Sequence, residues 1–295
     1  MQIIFTFEFI KPLKMKVFPF KIPKPKEEAL IYQEDREVVF YGKLHQHEEI
    51  QISYIANGEG NILVGDTITG YQKGNIIVLG SNLPHVFRSE INTDETSVMM
   101  TLFFTTDSFG NNFFDLPEFK ILESFFTAIK NGFKIDTISQ KTVSQFKKLK
   151  NANEFDRFIL FFKLIKSICL HEKKALSNFI YDKPFTDREG KRMQLVFDYV
   201  MTNYQKDISL EEIASLSNMT KNAFCRYFKL RTNKTFFQFL IDIRIERASK
   251  LLLKNRELSV IEIAELCGFN NISNFNRKFK ELKHSSPLQY RKLNT

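Results

Sequence analysis

Two stretches of this chain share one pattern: "EIASLSNMTKNAFCRYFK", from Glu212 to Lys229, and "EIAELCGFNNISNFNRKFK", from Glu262 to Lys280. Each opens as a short helical run, reaches a turn-forming residue, Asn218 or Gly268, and continues with two phenylalanines four positions apart. Because residues four apart share one face of a helix, the positions between the phenylalanines face outward. Helix, tight turn and outward-facing second helix make a helix-turn-helix unit, whose second helix fits the major groove. The repeat predicts two such units.

Both units begin with the same helix-start signal. Ser209 and Ser259 each stand three residues before a glutamate, a spacing typical of a capping box. Between the units, "TFFQFLIDIRIERASKLLLK" has apolar residues at helical spacing and predicts one long connecting helix. If that helix is rigid, it holds both second helices toward successive major grooves, about 34 Å apart.

Positive charge is concentrated in the part of the chain that carries the repeat. Residues 186–295 contain 20 Lys and Arg against 12 Asp and Glu, a net charge of +8, whereas residues 1–185 contain 23 against 22, a net charge of +1. Such an asymmetry favours a polyanionic partner such as nucleic acid.

The cysteines and the N-terminal sequence favour the cytoplasm. Cys169, Cys225 and Cys267 form neither a metal-binding spacing nor an evident disulfide set, which is typical of a reducing compartment. The opening "MQIIFTFEFI" lacks the basic start and the cleavage site of a signal peptide, and nothing else in the sequence approaches a membrane span. We expect no membrane association, and we interpret residues 1–14 as an upstream extension before Met15.

The N-terminal half has the texture of a small β domain. Short β-type runs, "EVVFYG", "IQISYI", "GNILVG", "NIIVLG" and "SVMMTLFF", are separated by turn residues such as Asn57-Gly58 and Gly65-Asp66. Several short strands at this spacing predict an all-β barrel or sandwich.

Within these strands, "HQH" followed by "GNIIVLGSNLPHVF" resembles the two half-motifs of the cupin barrel. In metal-binding cupins the positions of His45, His47 and His85 are ligands, together with a glutamate at the position of Gln51. Losing that carboxylate weakens a divalent site, although three imidazoles still suit zinc or nickel. We therefore expect a pocket for an organic ligand, lined by Tyr41 and these four residues, ahead of a structural cluster or a metal site, and we expect no cofactor.

The region after the strands predicts helices. "LPEFKILESFFTAIKNG" and "EFDRFILFFKLIKSICLHEK" carry apolar residues at three- and four-residue spacing, and the second has two apolar stripes. The stripes are compatible with core packing alone, or with one stripe on the barrel and the other in a subunit interface. The polar stretch that follows reads as a linker.

Residues 186–295 resemble the DNA-binding domain of the AraC/XylS family of bacterial transcription regulators. The resemblance rests on "ISLEEIA", "FCRYFK", "RIERASKLLL", "SVIEIAELCGF", "FNRKFK" and "SPLQYR", in that order. The chain departs from the family at Asn233 and His284, where glycine is usual. Both residue types can enter left-handed turns, so only local turn geometry is affected.

The resemblance implies two sets of DNA contacts. Arginine pairs with guanine and asparagine with adenine, an isoleucine meets only a thymine methyl group, and a cysteine packs on the groove wall. The implied base-reading residues are Asn222, Cys225, Arg226, Ile272, Ser273, Asn274 and Arg277. The implied phosphate contacts are Lys221, Lys229, Lys278 and Lys280, for which an ordinary exposed lysine is an equal alternative.

The predicted architecture is an α+β multidomain chain. It comprises a cupin-like β-barrel at residues 15–110, a helical dimerisation or core segment at 111–180, a linker at 181–191, and an all-α domain with two helix-turn-helix units joined by a long helix at 192–295. The resemblance implies a homodimeric, ligand-responsive regulator that binds double-stranded DNA and a small-molecule effector, and then recruits or blocks RNA polymerase. The alternatives are a metal-dependent cupin enzyme fused to a DNA-binding domain, and a regulator without an effector.

Overall fold

The computed structural model describes residues 28–90, 96–180 and 185–293. The predicted upstream extension, residues 1–14, lies outside this part of the chain, as do residues 15–27 of the predicted barrel and the first four residues of the predicted linker.

The described strands form two antiparallel sheets. The larger sheet has the order β1-β7-β2-β5-β8-β9, and the smaller sheet has the order β4-β3-β6. The strands are β1 (Ile31–Glu37), β2 (Ile50–Asn57), β3 (Gly60–Val64), β4 (Thr67–Tyr71), β5 (Ile76–Leu79), β6 (His85–Ser89), β7 (Ser97–Phe104), β8 (Phe133–Ile135) and β9 (Lys174–Ala175).

Alternation along β2 sends side chains to two different cores. Ile52 and Tyr54 point toward the helices, whereas Gln51, Ser53 and Ile55 point toward the smaller sheet. The apolar members of the inner face form a compact cluster between the two sheets. The domain is therefore two facing sheets with one face of the larger sheet covered by helices.

The predicted barrel is not closed. Among the described residues, the one isolated bridge outside the named strands joins His45, on the segment before β2, to His85 at the start of β6. Two backbone hydrogen bonds of 3.0 and 2.9 Å make this bridge. The sheets thus meet at a seam of two residues, because the chain reaches β2 without forming a full strand there.

One predicted strand is misplaced. The run "EVVFYG" was expected to be a strand, but the strand ends at Glu37, and Val38 and Val39 are 55% and 42% exposed. β1 lies in "IYQEDRE", a polar run, because it is an edge strand that pairs only with β7. The position of β1 is therefore set by its pairing with β7 and not by the hydrophobic pattern of the sequence.

The helices that cover the larger sheet are α1 (Glu123–Ala128), α2 (Gln140–Leu149) and α3 (Glu154–Cys169). The first predicted helical run, residues 116–132, begins with a 3-10 helix at Pro117–Leu122 and continues as α1; a further 3-10 turn at Phe113–Asp115 precedes it. In α3 the stripe containing Phe161, Leu164 and Ile168 is fully buried against the sheet. Phe155, on the other stripe, is 71% exposed.

The C-terminal region is all helical. Its helices are α4 (Asp187–Asn203), α5 (Leu210–Leu216), α6 (Lys221–Thr232), α7 (Phe236–Lys254), α8 (Val260–Leu266), α9 (Ile272–Lys283) and α10 (Pro287–Leu293). The end of the predicted linker lies inside α4, because Thr186 and Glu189 form a capping box there. Asp187 and Glu189 of the predicted linker lie in the first turn of α4, where negative charge is favourable. No helix in the described residues is long and apolar enough to cross a membrane.

The smaller sheet packs directly on the helical region. Leu63, Ile68 and Val86 join one buried cluster with residues of α4, α6 and α7. At the edge of this contact, Lys250 of α7 bonds the carboxylate of Glu90 at 3.0 Å. The sheet domain and the helical domain therefore share a core as well as ion pairs.

Replacing Phe161 with alanine tests the packing of α3 on the sheet. Because this ring is fully buried, its removal should lower the free energy of unfolding by about 3–5 kcal/mol. Phe155→Ala, at an exposed position of the other stripe, is the matched control and should change it by about 0.5 kcal/mol or less. Denaturant unfolding measures both. Equal losses in the two variants would contradict this assignment of the faces.

Candidate nucleic-acid interface and histidine cluster

The first helix-turn-helix unit consists of α5 and α6. The hydroxyl of Ser209 accepts a hydrogen bond from the Glu212 backbone at 3.1 Å, so the predicted cap is present. The Glu212 carboxylate accepts from the Tyr199 hydroxyl, so the reciprocal half of the predicted capping box is not formed. Asn218 ends the first helix with a left-handed backbone, φ 52°, as predicted. Thr220 then caps α6.

The second unit consists of α8 and α9. Ser259 and Glu262 form the complete predicted capping box. Gly268 has φ 83°, and Asn271 caps α9 by accepting from the Asn274 backbone at 2.9 Å. The two units therefore share one backbone plan, with different residues at the turn.

The departures from glycine at the ends of α6 and α9 do not disturb this plan. Asn233 has φ 55° and His284 has φ 57°, so both adopt the left-handed conformation predicted for them. The backbone N–H of each residue bonds the carbonyl four residues earlier, at 2.9 and 3.0 Å. Each helix thus ends in a regular left-handed cap.

The inner faces of α6 and α9 are fixed by buried aromatic rings. Phe224 and Phe228 of α6 and Phe275 and Phe279 of α9 are fully buried. The residues predicted to read bases all lie on the opposite, exposed faces: Asn222, Cys225, Arg226, Ile272, Ser273, Asn274 and Arg277. Arg277 donates to Asn274 at 2.9 Å, so these two polar groups are presented together. Their role in reading bases stays a prediction.

The lysines predicted to contact phosphates differ in their surroundings. Lys221 pairs with Glu211, and Lys278 bonds Glu281 at 2.8 Å. The first pairing lowers the pKa of the Glu211 carboxyl and raises that of the Lys221 ammonium group. Within the described chain, Lys229 and Lys280 make no ion pair. A phosphate would compete with a carboxylate at the first two lysines and not at the others.

Close packing explains why the second unit has glycine at its turn. A β-carbon at Gly268 would lie 2.8 Å from the Gln205 carbonyl and 2.9 Å from the Tyr204 carbonyl, at the end of α4. Arg244 of α7 binds the same corner, donating to Tyr204 at 2.7 Å and to Lys206 at 2.8 Å. Asn218, in contrast, is exposed.

A second candidate site lies at the seam between the two sheets. His45, His47 and His85 are buried, and one ring nitrogen from each lies within 4.8 Å of the other two. Ring centroids are 4.2 Å apart for His45 and His85, and 5.1 Å apart for His47 and His85. Tyr41 packs edge-on against His45 at 5.1 Å.

Each of the three rings is oriented by the backbone. Nδ1 of His45 bonds the carbonyl of Lys43 at 2.8 Å, Nδ1 of His47 that of Glu49 at 2.9 Å, and Nδ1 of His85 that of Leu83 at 2.8 Å. A carbonyl only accepts, so Nδ1 donates in each ring, and a neutral His45 or His85 keeps its lone pair on Nε2. Nε2 of His47 instead faces an acceptor, the side-chain oxygen of Gln51, at 3.0 Å. Carbonyls that fix the tautomer in this way are typical partners of metal-binding histidines.

Gln51 stands where the cupin resemblance implies a glutamate. Its side-chain oxygen Oε1 lies 3.0 Å from Nε2 of His47, and its NH2 group donates to the hydroxyl of Ser53 at 2.8 Å. The Ser53 hydroxyl in turn lies 2.9 Å from that of Thr101. The residue therefore sits in position to be a fourth ligand, but an amide carries no charge and is held in a polar chain along the inner face of the sheet.

The packing of the rings limits what the cluster can hold. The ring centroid of His85 lies 4.2 and 5.1 Å from those of His45 and His47, and the organic-ligand pocket expected here stays a prediction. Three oriented imidazoles fit zinc or nickel in donor type and number. The five residues predicted as pocket groups do lie together, and their role stays a prediction.

Sequence reasoning did not find the contacts that link this cluster to the helical domain. Gln46, between the two histidines, is fully buried and bonds the backbone of Phe185 just before α4. Asp198 of α4 binds both Lys43 and Arg88. The alternation of "HQH" was the available signal, because it places Gln46 on the face opposite the histidines.

Comparison with known proteins agrees with the helical domain. Residues 213–293 match a family described as "Helix-turn-helix domain". The chain is 23% identical over 270 residues to an uncharacterized HTH-type transcriptional regulator, YdeC of Bacillus subtilis, covering 86% of this chain and 88% of that protein. It is 23% identical over 254 residues to the HTH-type transcriptional activator RhaS of Mannheimia succiniciproducens, covering 84% of this chain and 88% of that protein.

A solved structure with similarity to the helical domain is the DNA-binding domain of AdpA, a global transcriptional factor, in complex with a target DNA. Sequence identity is 28%, the match covers 33% of this chain and 87% of that chain, and the TM-score is 0.32.

Exchanging the turn residues between the two units tests the close packing at Gly268. Gly268→Asn should lower the free energy of unfolding by about 1–3 kcal/mol, because a side chain has no space beside α4. Asn218→Gly keeps the left-handed backbone at an exposed site and should change it by no more than about 1 kcal/mol. Thermal and denaturant unfolding measure both variants. Similar effects in the two would mean that backbone conformation, rather than packing, selects the glycine.

Proposed function

We propose that this chain, which matches a helix-turn-helix domain family and resembles the AraC/XylS regulators, is a transcriptional regulator that reads two successive major grooves of its target DNA with α6 and α9. The observation that carries the proposal is the exposure of the outer faces of both helices, while their inner faces are held by buried phenylalanines. α7 connects the two units and shares a core with each of them.

Within this proposal, the exposed polar residues of α6 and α9 read bases. Arg226 and Arg277 can each donate two hydrogen bonds to a guanine, and Asn222 and Asn274 can pair with adenine. Cys225 and Ile272 contribute apolar contacts, and Ser273 contributes a hydroxyl. Lys221, Lys229, Lys278 and Lys280 set the register through phosphates.

Alanine variants of the two arginines test base reading. The cognate site is first selected from random DNA at fixed salt, and affinities are then measured by fluorescence anisotropy. Arg226→Ala and Arg277→Ala should each cost about 1–3 kcal/mol of binding free energy, with relaxed preference at one base. The effect follows from losing a bidentate contact.

The matched control is Lys280→Ala. It should weaken binding to specific and random DNA alike and reduce the salt slope by about one. Equal losses on specific and random DNA in the arginine variants would refute their base-reading role.

The sheet domain is the proposed sensor, and we propose a divalent transition-metal ion as the effector that its histidine cluster fits best. His45, His47 and His85 would hold the ion through Nε2, with their Nδ1 groups already bound to backbone carbonyls. A bound ion would supply a charge and a fixed link between β6, which begins with His85, and the segment before β2, which carries His45 and His47. On this proposal the cluster is a sensor rather than a catalytic centre.

The remaining partners rest on the family resemblance. We propose that the protein acts in the cytoplasm as a homodimer and that, once on DNA, it recruits or blocks RNA polymerase. The effector requirement is that the ligand bind one arrangement of the protein more tightly than another. If the metal titration described below detects no binding, the alternatives are a small organic effector or no effector.

Gln51→Glu tests the metal assignment. Zn²⁺ and Ni²⁺ are titrated into chelator-treated protein and followed by calorimetry. A carboxylate beside His47 Nε2 should raise metal affinity at least about tenfold. Without metal, the buried charge should lower the unfolding temperature.

Gln72→Glu makes the same chemical change at an exposed position of the sensor and is the matched control. Identical metal affinity in the wild type and both variants, or no binding in any of them, would refute the metal site and return the search to organic effectors.

A further inference from the structure

The segment Lys43–His47 lies between the histidine cluster and the DNA-binding domain, and from Leu44 to His47 its side chains alternate between them. His45 and His47 turn into the cluster. Leu44 joins the buried core that contains Phe197 and Phe224 of the helical domain. Gln46 also points to the helical domain. Neighbouring residues of one extended segment thus belong to different domains.

Gln46 makes the most specific of these contacts. Its amide donates to the Phe185 carbonyl at 3.1 Å and accepts from the Phe185 N–H at 3.4 Å. The side chain is fully buried, so water does not compete for these bonds. Phe185 is next to Thr186, the cap of α4. Gln46 therefore holds the N-terminus of α4 much as a neighbouring strand would.

The N-terminus of α4 is bound in turn to the recognition helix α6. The Arg231 guanidinium lies 4.7 Å above the Phe185 ring and pairs with Glu189. The Tyr227 hydroxyl donates to the Glu189 carbonyl at 2.8 Å. Both Tyr227 and Arg231 belong to α6, which carries the proposed base readers on its exposed face. Phe185 and the first turn of α4 are therefore in direct contact with α6, so a displacement of Phe185 would change the contacts of α6.

A second contact ties the same region to α4. Asp198 binds Lys43 at 3.0 Å and also pairs with Arg88. Lys43 lies two residues before His45, and Arg88 lies on β6, the strand that His85 begins. The two elements that supply the histidines therefore converge on one carboxylate of α4.

Given the proposed function, in which the histidines form the effector site of a DNA-binding regulator, we propose that the Lys43–His47 segment transmits the occupancy of that site to α6. Gln46 is the transmitting residue, through Phe185, and Asp198 is the second anchor. Gln46 and Asp198 act as positioning residues and touch neither effector nor DNA.

Binding of an ion by the histidines would change the position of the Lys43–His47 segment. A tetrahedral zinc with bonds of about 2.0–2.1 Å holds its nitrogens about 3.4 Å apart. One ring nitrogen of each histidine lies within 4.8 Å of the other two. Because Nδ1 of His45 and of His47 is bound to a backbone carbonyl within or next to the segment, any movement of these rings on binding an ion would move the segment as well. Gln46 directly follows His45 in the chain and is bonded to Phe185. A shift of His45 would therefore move the residue that precedes α4.

The first test uses Ni²⁺ alone as the probe on the full-length chain. In the wild type, Ni²⁺ should change hydrogen exchange at residues 185–192 and in α6, and should shift affinity for the selected DNA site at least fivefold. Gln46→Ala should bind Ni²⁺ within threefold of the wild type, yet lose most of both responses. Gln33→Ala, whose side chain bonds Asp35 within β1, is the control and should respond like the wild type.

The outcomes separate this inference from the proposed function. If Ni²⁺ binds and Gln46→Ala responds as fully as the wild type, transmission through Gln46 is overturned and the metal site stands. If Ni²⁺ does not bind the wild type, the metal proposal fails and a metal-free comparison decides transmission.

The metal-free comparison is a double-mutant cycle. His85→Ala should alter exchange at residues 185–192 when Gln46 is present, and at least threefold less when Gln46→Ala is also present. Additive effects would overturn the inference. If Gln46→Ala does not fold, Asp198→Asn replaces it in the cycle, because this change removes the charge that binds both Lys43 and Arg88.

Discussion

The burial of two phenylalanines, four residues apart, on each recognition helix is the constraint on which the rest of the DNA-binding domain depends. Phe224 and Phe228 pack with Phe236 and Phe239 of α7, and Phe275 and Phe279 pack with Phe269 and Tyr290. Burial of large rings is the strongest favourable term available to helices this short. With the rings inside, Cys225 and Arg226 of α6 and Asn276 and Arg277 of α9 lie on the exposed faces of their helices.

Packing also explains why the two units are similar but not interchangeable. Both end their first helix with a left-handed residue, but only Gly268 lies against the end of α4, where a β-carbon would contact two carbonyls. The first unit has no such neighbour, and asparagine suffices. The two turns have similar sequences but different surroundings. The end of α4 contacts the turn of the second unit at Gly268, whereas Asn218 in the turn of the first unit is exposed.

The sheet domain and the helical domain are in closer contact than two domains joined only by a linker. Leu44, Leu63, Ile68 and Val86 of the sheet domain share a buried core with the helical domain, and the ion pairs Lys43–Asp198 and Lys250–Glu90 also join the two domains. Burial raises the pKa of the Glu90 carboxyl, but hydrogen bonds from Lys254 and Lys250 outweigh that effect and leave the pKa below its ordinary value. The ionised carboxylate thus favours docking at neutral pH, and its contribution is lost only in acid as pH falls through that lowered pKa.

The sequence by itself determined the elements whose causes are local. The serine caps, the left-handed residues, the buried phenylalanine pairs and most β-strands follow from residue type and spacing over a few positions. The sequence also identified three histidines and Gln51 as a candidate site, because they lie in two short motifs that can be recognised without the structure. Only the tertiary structure decided that β1 is the polar run before "EVVFYG", that the two sheets meet at a two-residue seam, and that α4 begins inside the expected linker. Only it placed Gln46 against Phe185, 139 positions away along the chain. Contacts between residues so far apart depend on how whole faces pack, and no local pattern encodes that.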